Sequence, residues 1–173
     1  LTIRYNDFHS PYICDIIDDP DHLPAHADFI QRTNNASVNE SDSGIKIYGN
    51  FFNPLRNDGK TDGLRFDMQC MFIQTGGPSF SSSSVQDGSE IICNIGLDLT
   101  AHGYTCDRAL VTNSKIVGNT VIAGTGAALL PKININNTGT GNSADGTVIA
   151  DNAVEALAVP SDAVLINNVT SAS

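Results

Sequence analysis

The chain has 173 residues, and Asn, Asp, Gly and Pro occupy 55 of these positions. Because these residues favour turns, and because Asp outnumbers Glu by 16 to 3, the composition argues against long amphipathic helices. Nine basic and 19 acidic residues give a net charge of −10, which disfavours nucleic acid or an anionic membrane as the main partner. The hydrophobic fraction of 40% is sufficient for a packed core, and no apolar run approaches the roughly 20 residues that span a bilayer.

The first residues of the chain already fit the repeat described next. The sequence begins at Leu1, without Met and without the charged segment that opens a signal peptide. We therefore interpret residues 1–173 as one segment of a longer chain.

A short pattern recurs five times: Ile, two residues, Asn, one residue and usually an apolar residue. The successive Asn residues lie 44, 44, 25 and 33 positions apart, so the period is not fixed. Constant strands with connections of variable length predict a solenoid of about five coils. The coils are expected to begin near residues 1, 44, 89, 113 and 145, with the last coil or cap over 145–173.

The residue types of the pattern suit a strand followed by a tight bend. The Ile is expected to point inward, and the Asn to adopt the left-handed conformation and to hydrogen-bond its own backbone. If the coils stack about 4.8 Å apart, the Asn side chains form a ladder of amide hydrogen bonds. The predicted ladder consists of Asn6, Asn50, Asn94, Asn119 and Asn152. The third copy has Gly96 at its apolar position, which predicts a bulge there.

A second strand is expected between successive bends. Phe-Ile-Gln occurs at 29–31 and again at 72–74, so we expect these segments to align and to place Gln31 beside Gln74. The later coils are expected to use 102–104, 129–135 and finally 163–167. The polar stretches are expected to form surface loops, at residues 9–27, 33–43, 53–64, 75–89 and 136–146.

These residues resemble those of right-handed parallel β-helix proteins of the pectate-lyase-like superfamily. The segments that carry the resemblance, within roughly residues 1–170, are His26-Ala-Asp-Phe-Ile-Gln31, Gly44-Ile-Lys-Ile-Tyr-Gly-Asn50, Met71-Phe-Ile-Gln74, His102-Gly103 and Lys115-Ile-Val-Gly-Asn-Thr-Val121. The chain is similar in particular to the β-helix regions of bacteriophage tailspikes and of secreted bacterial proteins that act on polysaccharides. The resemblance implies an all-β fold, a right-handed parallel β-helix with long polar loops.

The resemblance also implies a function and a location. It implies recognition of a cell-surface polysaccharide, with or without cleavage, by a homotrimer at the virion tail or outside the cell, joined to other virion or flanking domains. The glycine-rich calcium-binding nonapeptides of many secreted relatives are absent, which favours a virion spike. The alternatives are a secreted bacterial polysaccharide lyase or hydrolase, and a non-catalytic structural solenoid. Neither nucleic acid binding nor membrane insertion is expected.

Two groups of residues are candidates for catalysis. His26 and Asp28 lie two positions apart at the entry of a strand, and His102 lies two coils away, which allows a general acid–base cluster. A structural hydrogen bond between His26 and Asp28 is the alternative. Asp62 with Asp67, or Asp28 with Asp67, could supply the carboxylate pair of a glycoside hydrolase. Solvated loop carboxylates are the commoner explanation, and no compact acid–base motif is present, which favours binding over catalysis.

One acidic segment is dense enough in carboxylates to bind Ca²⁺. Its members are Asp15, Asp18, Asp19 and Asp21. Calcium prefers such oxygen ligands, but the segment lacks a recognised loop signature, and an exposed acidic loop is the alternative. No other cofactor is indicated.

Contacts with a glycan are expected from amide, guanidinium and aromatic side chains. The candidates are Gln31 and Gln74 on the second strands, Arg65 and Arg108 as bidentate donors, and Tyr104 as a stacking platform, with Tyr12 and Tyr48 as further platforms. Four phenylalanines fit an inner stack instead, namely Phe8, Phe29, Phe52 and Phe72. The four cysteines have no zinc-binding spacing, and Cys93 is expected in the core.

Overall fold

A computed structural model describes residues 1–9, 27–33, 42–53, 68–74, 85–99, 103–107, 110–124, 131–136 and 143–171. Within these ranges the chain forms short β-strands and no helix. In chain order the strands are β1 (Thr2–Arg4), β2 (Asp7–His9), β3 (Ala27–Thr33), β4 (Asp42–Ser43), β5 (Lys46–Tyr48), β6 (Phe51–Asn53), β7 (Met68–Gln74), β8 (Val85–Asp87), β9 (Glu90–Ile92), β10 (Ile95–Leu99), β11 (Tyr104–Asp107), β12 (Leu110–Thr112), β13 (Lys115–Val117), β14 (Thr120–Ala123), β15 (Lys132–Asn136), β16 (Val148–Ala150), β17 (Ala153–Val154), β18 (Ala156–Ala158), β19 (Val164–Ile166) and β20 (Val169–Thr170).

The strands form four sheets in which every pair is parallel. The first sheet has the order β1-β5-β9-β13-β16-β19, and the second has the order β2-β6-β10-β14-β17-β20. The third is β3-β7-β11-β15-β18, and the fourth is β4-β8-β12. Each sheet takes its strands in chain order, so we call the stretch from one strand of the first sheet to the next a repeat. The predicted all-β class with stacked parallel strands is confirmed.

The first sheet buries one residue of each strand. Ile47, Ile91, Ile116 and Ile149 pair in register and are at most 1% exposed. Because neighbouring residues of a strand point to opposite faces, the residues on either side of each Ile lie on the outer face. The Ile of the sequence pattern therefore forms an apolar column along the interior of the stacked repeats.

Aromatic rings fill the interior beside the second sheet in the first repeats. Phe8 and Phe52 pair in register, and their rings stack with centroids 5.1 Å apart and planes 4° from parallel. The Phe29 ring is tilted against Phe52 at 5.5 Å. This is the arrangement predicted for these three rings, whereas the Phe72 side chain lies outside the described part of the chain.

The bend between the first and second sheets places a different residue in the left-handed conformation from the one predicted. The residue before each Asn has a φ between 50° and 67°, at Tyr5, Gly49, Cys93, Gly118, Asp151 and Asn167. The prediction that Asn itself adopts this conformation was wrong. The backbone N–H of each Asn from Asn6 to Asn152 donates to the side chain of the Asn in the next repeat, so the reversal falls on the preceding residue.

Cys93 is a non-glycine residue at one of these bends, with a φ of 54°. It is exposed, so its expected place in the core was wrong. A left-handed conformation costs an L-residue about 1–2 kcal/mol. Glycine avoids this cost, but it loses more backbone entropy on folding, which cancels part of the gain. We expect Cys93→Gly to raise the free energy of unfolding by about 0.5–1 kcal/mol in urea titrations.

Gly49→Ala provides the opposite control. Gly49 has a φ of 58°, and a Cβ atom there would lie 2.8 Å from the Tyr5 ring, so this variant should lose stability. Loss of stability in both variants would contradict the account of the bend.

Three other expectations about the strands were wrong. Gln31 pairs with Phe72, and Gln74 pairs with Thr33, so the two Phe-Ile-Gln segments are offset by two residues. The strand at 164–166 pairs with β16 and belongs to the first sheet, so it begins a sixth repeat and does not close the fifth. The stretches 33–43 and 75–89 include β4 and β8, which form a sheet where loops were expected.

The bulge predicted at Gly96 is confirmed. Strand β10 pairs with β14 at Ile95 and Gly96, and the register then shifts before Leu99. Gly103 follows at a tight position, since a Cβ atom there would lie 2.4 Å from a methyl group of Val121. The register shift and Gly103 therefore lie on either side of the connection from β10 in the second sheet to β11 in the third. The described residues contain no helix that is long and apolar enough to cross a membrane.

One exposed carboxylate fixes a turn between the fourth and first sheets. Asn113 Nδ2 and Thr112 Oγ1 donate hydrogen bonds to Asp87 Oδ1 at 2.9 and 2.7 Å. These donors stabilise the ionised form, with Asn113 having the larger effect, and lower the pKa of Asp87. The Ser143 hydroxyl and the Ala144 backbone N–H lower the pKa of Asp162 in the same way.

A lowered folded-state pKa makes stability depend on pH in the acid range. The contribution of Asp87 is present above the pKa of an unfolded aspartate and is lost as the pH falls through the lower folded-state value. We therefore expect the denaturation midpoint to fall on acidification, and to fall less steeply in Asp87→Asn. Midpoints measured from neutral pH to about pH 2 test this. Identical acid profiles for the two proteins would contradict it.

Candidate functional site

Most residues predicted from the sequence to act on a glycan lie outside the described part of the chain. These are His26, Asp62, Asp67, His102, Arg65 and Arg108, together with the acidic segment Asp15, Asp18, Asp19 and Asp21. Asp28, Gln31 and Gln74 are described by their backbone alone, in β3 and β7 of the third sheet. The backbone register separates Gln31 from Gln74, because they pair with Phe72 and Thr33 and not with each other.

Tyr104 lies in the core, so its ring is not available to stack on a sugar. It is 2% exposed and pairs in register with Met71 and Ile133, both of which are also buried. Gln86 Nε2 donates hydrogen bonds to the Tyr104 hydroxyl at 3.2 Å and to Ser89 Oγ at 3.0 Å. Burial raises the pKa of Tyr104 well above the ordinary value for tyrosine. The sequence prediction for this residue was therefore wrong.

The Asn residues of the repeat form a continuous hydrogen-bonded column. At each step the backbone N–H and the Nδ2 of one Asn both donate to Oδ1 of the Asn in the next repeat. For Asn94 and Asn119 these distances are 2.9 and 3.0 Å. Each Nδ2 from the second repeat onward also donates to a carbonyl in the preceding repeat, as Asn119 does to Ile91 at 2.9 Å.

The ladder has a sixth member that the sequence pattern did not include. Asn168 accepts hydrogen bonds from the Asn152 backbone and side chain at 3.1 and 2.9 Å. In this copy Leu165 stands where the other five have Ile. The four central Asn residues are at most 3% exposed, so the ladder is a structural element of the interior and not a binding surface.

A second column, of hydroxyl side chains, lies at the bend that leads into the first sheet. Ser114 Oγ accepts from the Ser89 backbone at 3.0 Å, and Thr147 Oγ1 accepts from the Ser114 backbone at 3.3 Å. Each hydroxyl follows a residue in the left-handed conformation, and all three are buried. The recurring pair of Gly or Asn followed by Ser or Thr is the sequence signal for this column.

The outer face of the first sheet carries a group of charged and aromatic side chains. Glu90 pairs in register with Lys46 on one side and Lys115 on the other. Arg4 pairs with Tyr48 in the adjacent row. Strand alternation places all five opposite the buried Ile column. We call Arg4, Lys46, Tyr48, Glu90 and Lys115 the outer strip.

Tyr48, Glu90 and Lys46 form a connected group within the outer strip. The Tyr48 hydroxyl donates a hydrogen bond to Glu90 Oε2, and Lys46 Nζ lies 3.7 Å from the same oxygen. The Lys46 and Glu90 side chains retain 45% and 29% of their exposure. Glu90 therefore presents a fixed carboxylate to solvent beside an ammonium group and a tyrosine ring.

The outer strip contrasts with the rest of the protein in charge. It holds three cations and one carboxylate, while the whole chain has a net charge of −10. The side chains of the outer strip supply hydrogen-bond acceptors, hydrogen-bond donors and one aromatic ring, which are the features that bind hydroxyl-rich ligands. Tyr48 was considered from the sequence, whereas Glu90 was missed. The signal for both is their position beside a buried Ile, at 47 and 91.

The described residues place no second carboxylate directly beside Glu90, whose neighbours in register are lysines. Among the same residues no three His, Cys, Asp or Glu side chains lie close enough to hold a metal ion. A small void of about 10 Å³ lies inside the stacked repeats between Met71, Ile91 and Tyr104. It is too small for any ligand larger than about one water molecule.

Comparison with known proteins identified no relative. No protein-family model matches the sequence, no curated protein matches it, and no solved structure matches it.

Proposed function

We propose that the chain is a right-handed parallel β-helix whose coils pass through the first, second and third sheets in turn, with the fourth sheet added in the first three coils. The support is the strand order, since successive strands of the chain enter the first, second and third sheets repeatedly and always in parallel. Parallel strands require crossover connections, and a coil that returns to its own sheet supplies them. About six coils follow from the six strands of the first sheet.

We further propose that this β-helix recognises an extended cell-surface polysaccharide, as a tailspike-like protein does. The observation that supports this most directly is the outer strip on the first sheet. Lys46, Glu90 and Lys115 repeat at the strand spacing of about 4.8 Å, so a chain of sugars lying across β5, β9 and β13 would meet a polar group at each of these three strands. Several weak contacts of this kind, made at the same time by one polysaccharide chain, together give a measurable affinity.

The outer strip supports binding of the polysaccharide without cleavage. Hydrolysis of a glycoside requires two carboxyl groups about 5–10 Å apart, and the groups beside Glu90 in register are cations. The fixed Glu90 carboxylate can instead accept hydrogen bonds from sugar hydroxyls. The tyrosine ring can pack against the apolar face of a sugar.

Tyr48→Ala should weaken polysaccharide binding about tenfold or more. The substitution removes the only aromatic surface of the outer strip and the hydroxyl that positions Glu90. Loss of a central aromatic contact commonly costs 2 kcal/mol or more, and 1.4 kcal/mol is a factor of ten. Calorimetric titration with purified bacterial surface polysaccharides measures the effect. Ser161→Ala, in an exposed turn after the third sheet, is the control and should bind like the wild type.

Assays for products separate the proposal from its alternatives. The protein is incubated with the same polysaccharides, and new reducing ends and ultraviolet-absorbing unsaturated products are measured. Binding without product is the expected result. Formation of either product would show a hydrolase or lyase, and failure to bind any of the polysaccharides would leave a structural solenoid.

A further inference from the structure

Charges of alternating sign cross the middle of the first sheet. Lys46, Glu90 and Lys115 pair in register on β5, β9 and β13, so their side chains leave the outer face in one row. Each of these three strands has a hydrogen-bonded neighbour on both sides. The row of cation, carboxylate and cation therefore belongs to the interior of the sheet and does not depend on its first or last strand.

The carboxylate in the middle of the row is held in place. The Tyr48 hydroxyl donates a hydrogen bond to Glu90 Oε2, and Lys46 Nζ lies 3.7 Å from the same oxygen. The Glu90 side chain is 29% exposed, so its carboxylate remains open to solvent. Hydroxyl groups of a neutral sugar can donate to this carboxylate, whereas a second carboxylate placed over it would be repelled.

The two lysines flank Glu90 and remain accessible to an anion. They lie two strands apart, or about 9.6 Å at the strand spacing of about 4.8 Å. The Lys46 side chain is 45% exposed. Lys115 is exposed and forms no ion pair with another described residue. Both ammonium groups can therefore bind an anionic group of a ligand that lies over the outer strip.

Uncharged residues bound the row on both sides. Lys46 pairs with Thr2 on β1, and Lys115 pairs with Val148 on β16. A ligand that crosses the strands here therefore meets one cation, then an acceptor for hydroxyl groups, then a second cation. The complementary ligand carries an anion, a neutral hydroxyl-bearing unit and a second anion, in that order.

Given the proposed recognition of a polysaccharide, on which this inference rests, we propose that the ligand of the outer strip is an acidic polysaccharide with alternating charge. In such a chain a sugar that carries a carboxylate alternates with a neutral sugar. The carboxylates of two acidic sugars bind Lys46 and Lys115, and the neutral sugar between them donates its hydroxyl groups to Glu90. The Tyr48 ring packs against the apolar face of one sugar.

The charge of the whole protein makes this pattern selective. The chain has a net charge of −10, so it repels a densely charged polyanion. At physiological salt, exposed charges interact over only about 8 Å, so an anion in contact with either lysine is attracted by that ammonium more than it is repelled by distant carboxylates. A polymer with a carboxylate on every sugar would also place one over Glu90. Sparse, alternating charge avoids both penalties.

Three polysaccharides of known charge pattern provide the test. Hyaluronan alternates glucuronate with neutral N-acetylglucosamine, polygalacturonate carries a carboxylate on every sugar, and dextran is neutral. In calorimetric titrations at one pH and one salt concentration, we expect hyaluronan to bind about tenfold more tightly than either of the others. Added salt should weaken the binding of hyaluronan, because it screens the exposed lysines. This comparison uses the unaltered chain.

Two variants change the charge pattern of the row. Lys115→Gln removes one cation and should lower the affinity for hyaluronan about threefold to fivefold. Glu90→Gln keeps an acceptor for the Tyr48 hydroxyl but removes the negative charge between the lysines, so the affinity for polygalacturonate should rise about threefold or more. Lys132→Gln, in β15 of the third sheet, is the matched control and should change no affinity. Circular dichroism shows whether each variant retains its strands.

The possible results distinguish the charge pattern from polysaccharide recognition itself. Dextran or polygalacturonate bound as tightly as hyaluronan would overturn the alternating pattern and leave polysaccharide recognition in place. Wild-type affinities in both Lys115→Gln and Glu90→Gln would have the same consequence. Failure to bind hyaluronan would also overturn the alternating pattern. The proposed function would be lost as well only if no bacterial surface polysaccharide were bound either.

Discussion

Asn119→Ala is expected to lower the free energy of unfolding by about 3–5 kcal/mol. The substitution removes the acceptor of the Asn94 backbone N–H and side chain, at 2.9 and 3.0 Å. It also removes the donor to Ile91 O and to Asn152 Oδ1. All of these bonds are buried, and each polar group left without a partner costs about 1–3 kcal/mol. Urea denaturation followed by circular dichroism measures the loss.

A second Asn of the ladder, Asn6 in the first repeat, provides the control for Asn119→Ala. Asn6→Ala deletes the same side chain at an exposed end, where water can replace the lost bonds, and should cost less than about 1 kcal/mol. Equal losses at Asn6 and Asn119 would contradict the assignment of the ladder to the interior. A loss below about 1 kcal/mol at Asn119 would do the same.

Phe52→Ala is expected to lower the free energy of unfolding by about 3–5 kcal/mol. The side chain is fully buried, it stacks on Phe8 at 5.1 Å, and it contacts the tilted Phe29 ring at 5.5 Å. Its removal leaves a cavity beside the Phe8 and Phe29 rings and deletes both ring contacts. Thermal and urea denaturation measure the change.

Two further variants separate cavity formation from the loss of ring stacking. Phe52→Leu keeps most of the volume and should cost less than Phe52→Ala. Phe8→Ala should also cost less, because Phe8 lies in the first repeat and is half-buried. If Phe8→Ala were the more destabilising of the two alanine variants, the aromatic cluster would not be centred on Phe52.

The sequence allowed the all-β class to be predicted because five of the six repeats carry the same Ile in the inner column and the same Asn directly after the bend. It did not allow the register of the third sheet to be predicted. Two matching Phe-Ile-Gln segments suggested one alignment, whereas the backbone pairs Gln31 with Phe72. Side chains alternate with a period of two, so an offset of two residues preserves the apolar pattern. The pattern therefore could not distinguish between the two alignments.

The candidate site was harder to predict than the fold. Tyr104 was predicted to be a stacking platform for a sugar because it lies near His102, but its partners Met71 and Ile133 place it on the inner face. Glu90 was missed because its position before Ile91 of the repeat indicates an outward-facing residue but does not show which side chains lie beside it. Its role in the outer strip depends on a lysine and a tyrosine that are more than 40 residues away in sequence.

The proposed binding of a polysaccharide by the outer strip is tested most directly by mapping a bound glycan onto the protein by NMR. Oligosaccharides prepared from the polysaccharides that bind are titrated into ¹⁵N-labelled protein, and shifts of the backbone amide signals are recorded. We expect the largest shifts in β5, β9 and β13, at Lys46, Tyr48, Glu90 and Lys115, and we expect Tyr48→Ala to need at least about tenfold more oligosaccharide to reach comparable shifts. Shifts confined to residues outside the first sheet, or saturable shifts unchanged in Tyr48→Ala, would contradict it.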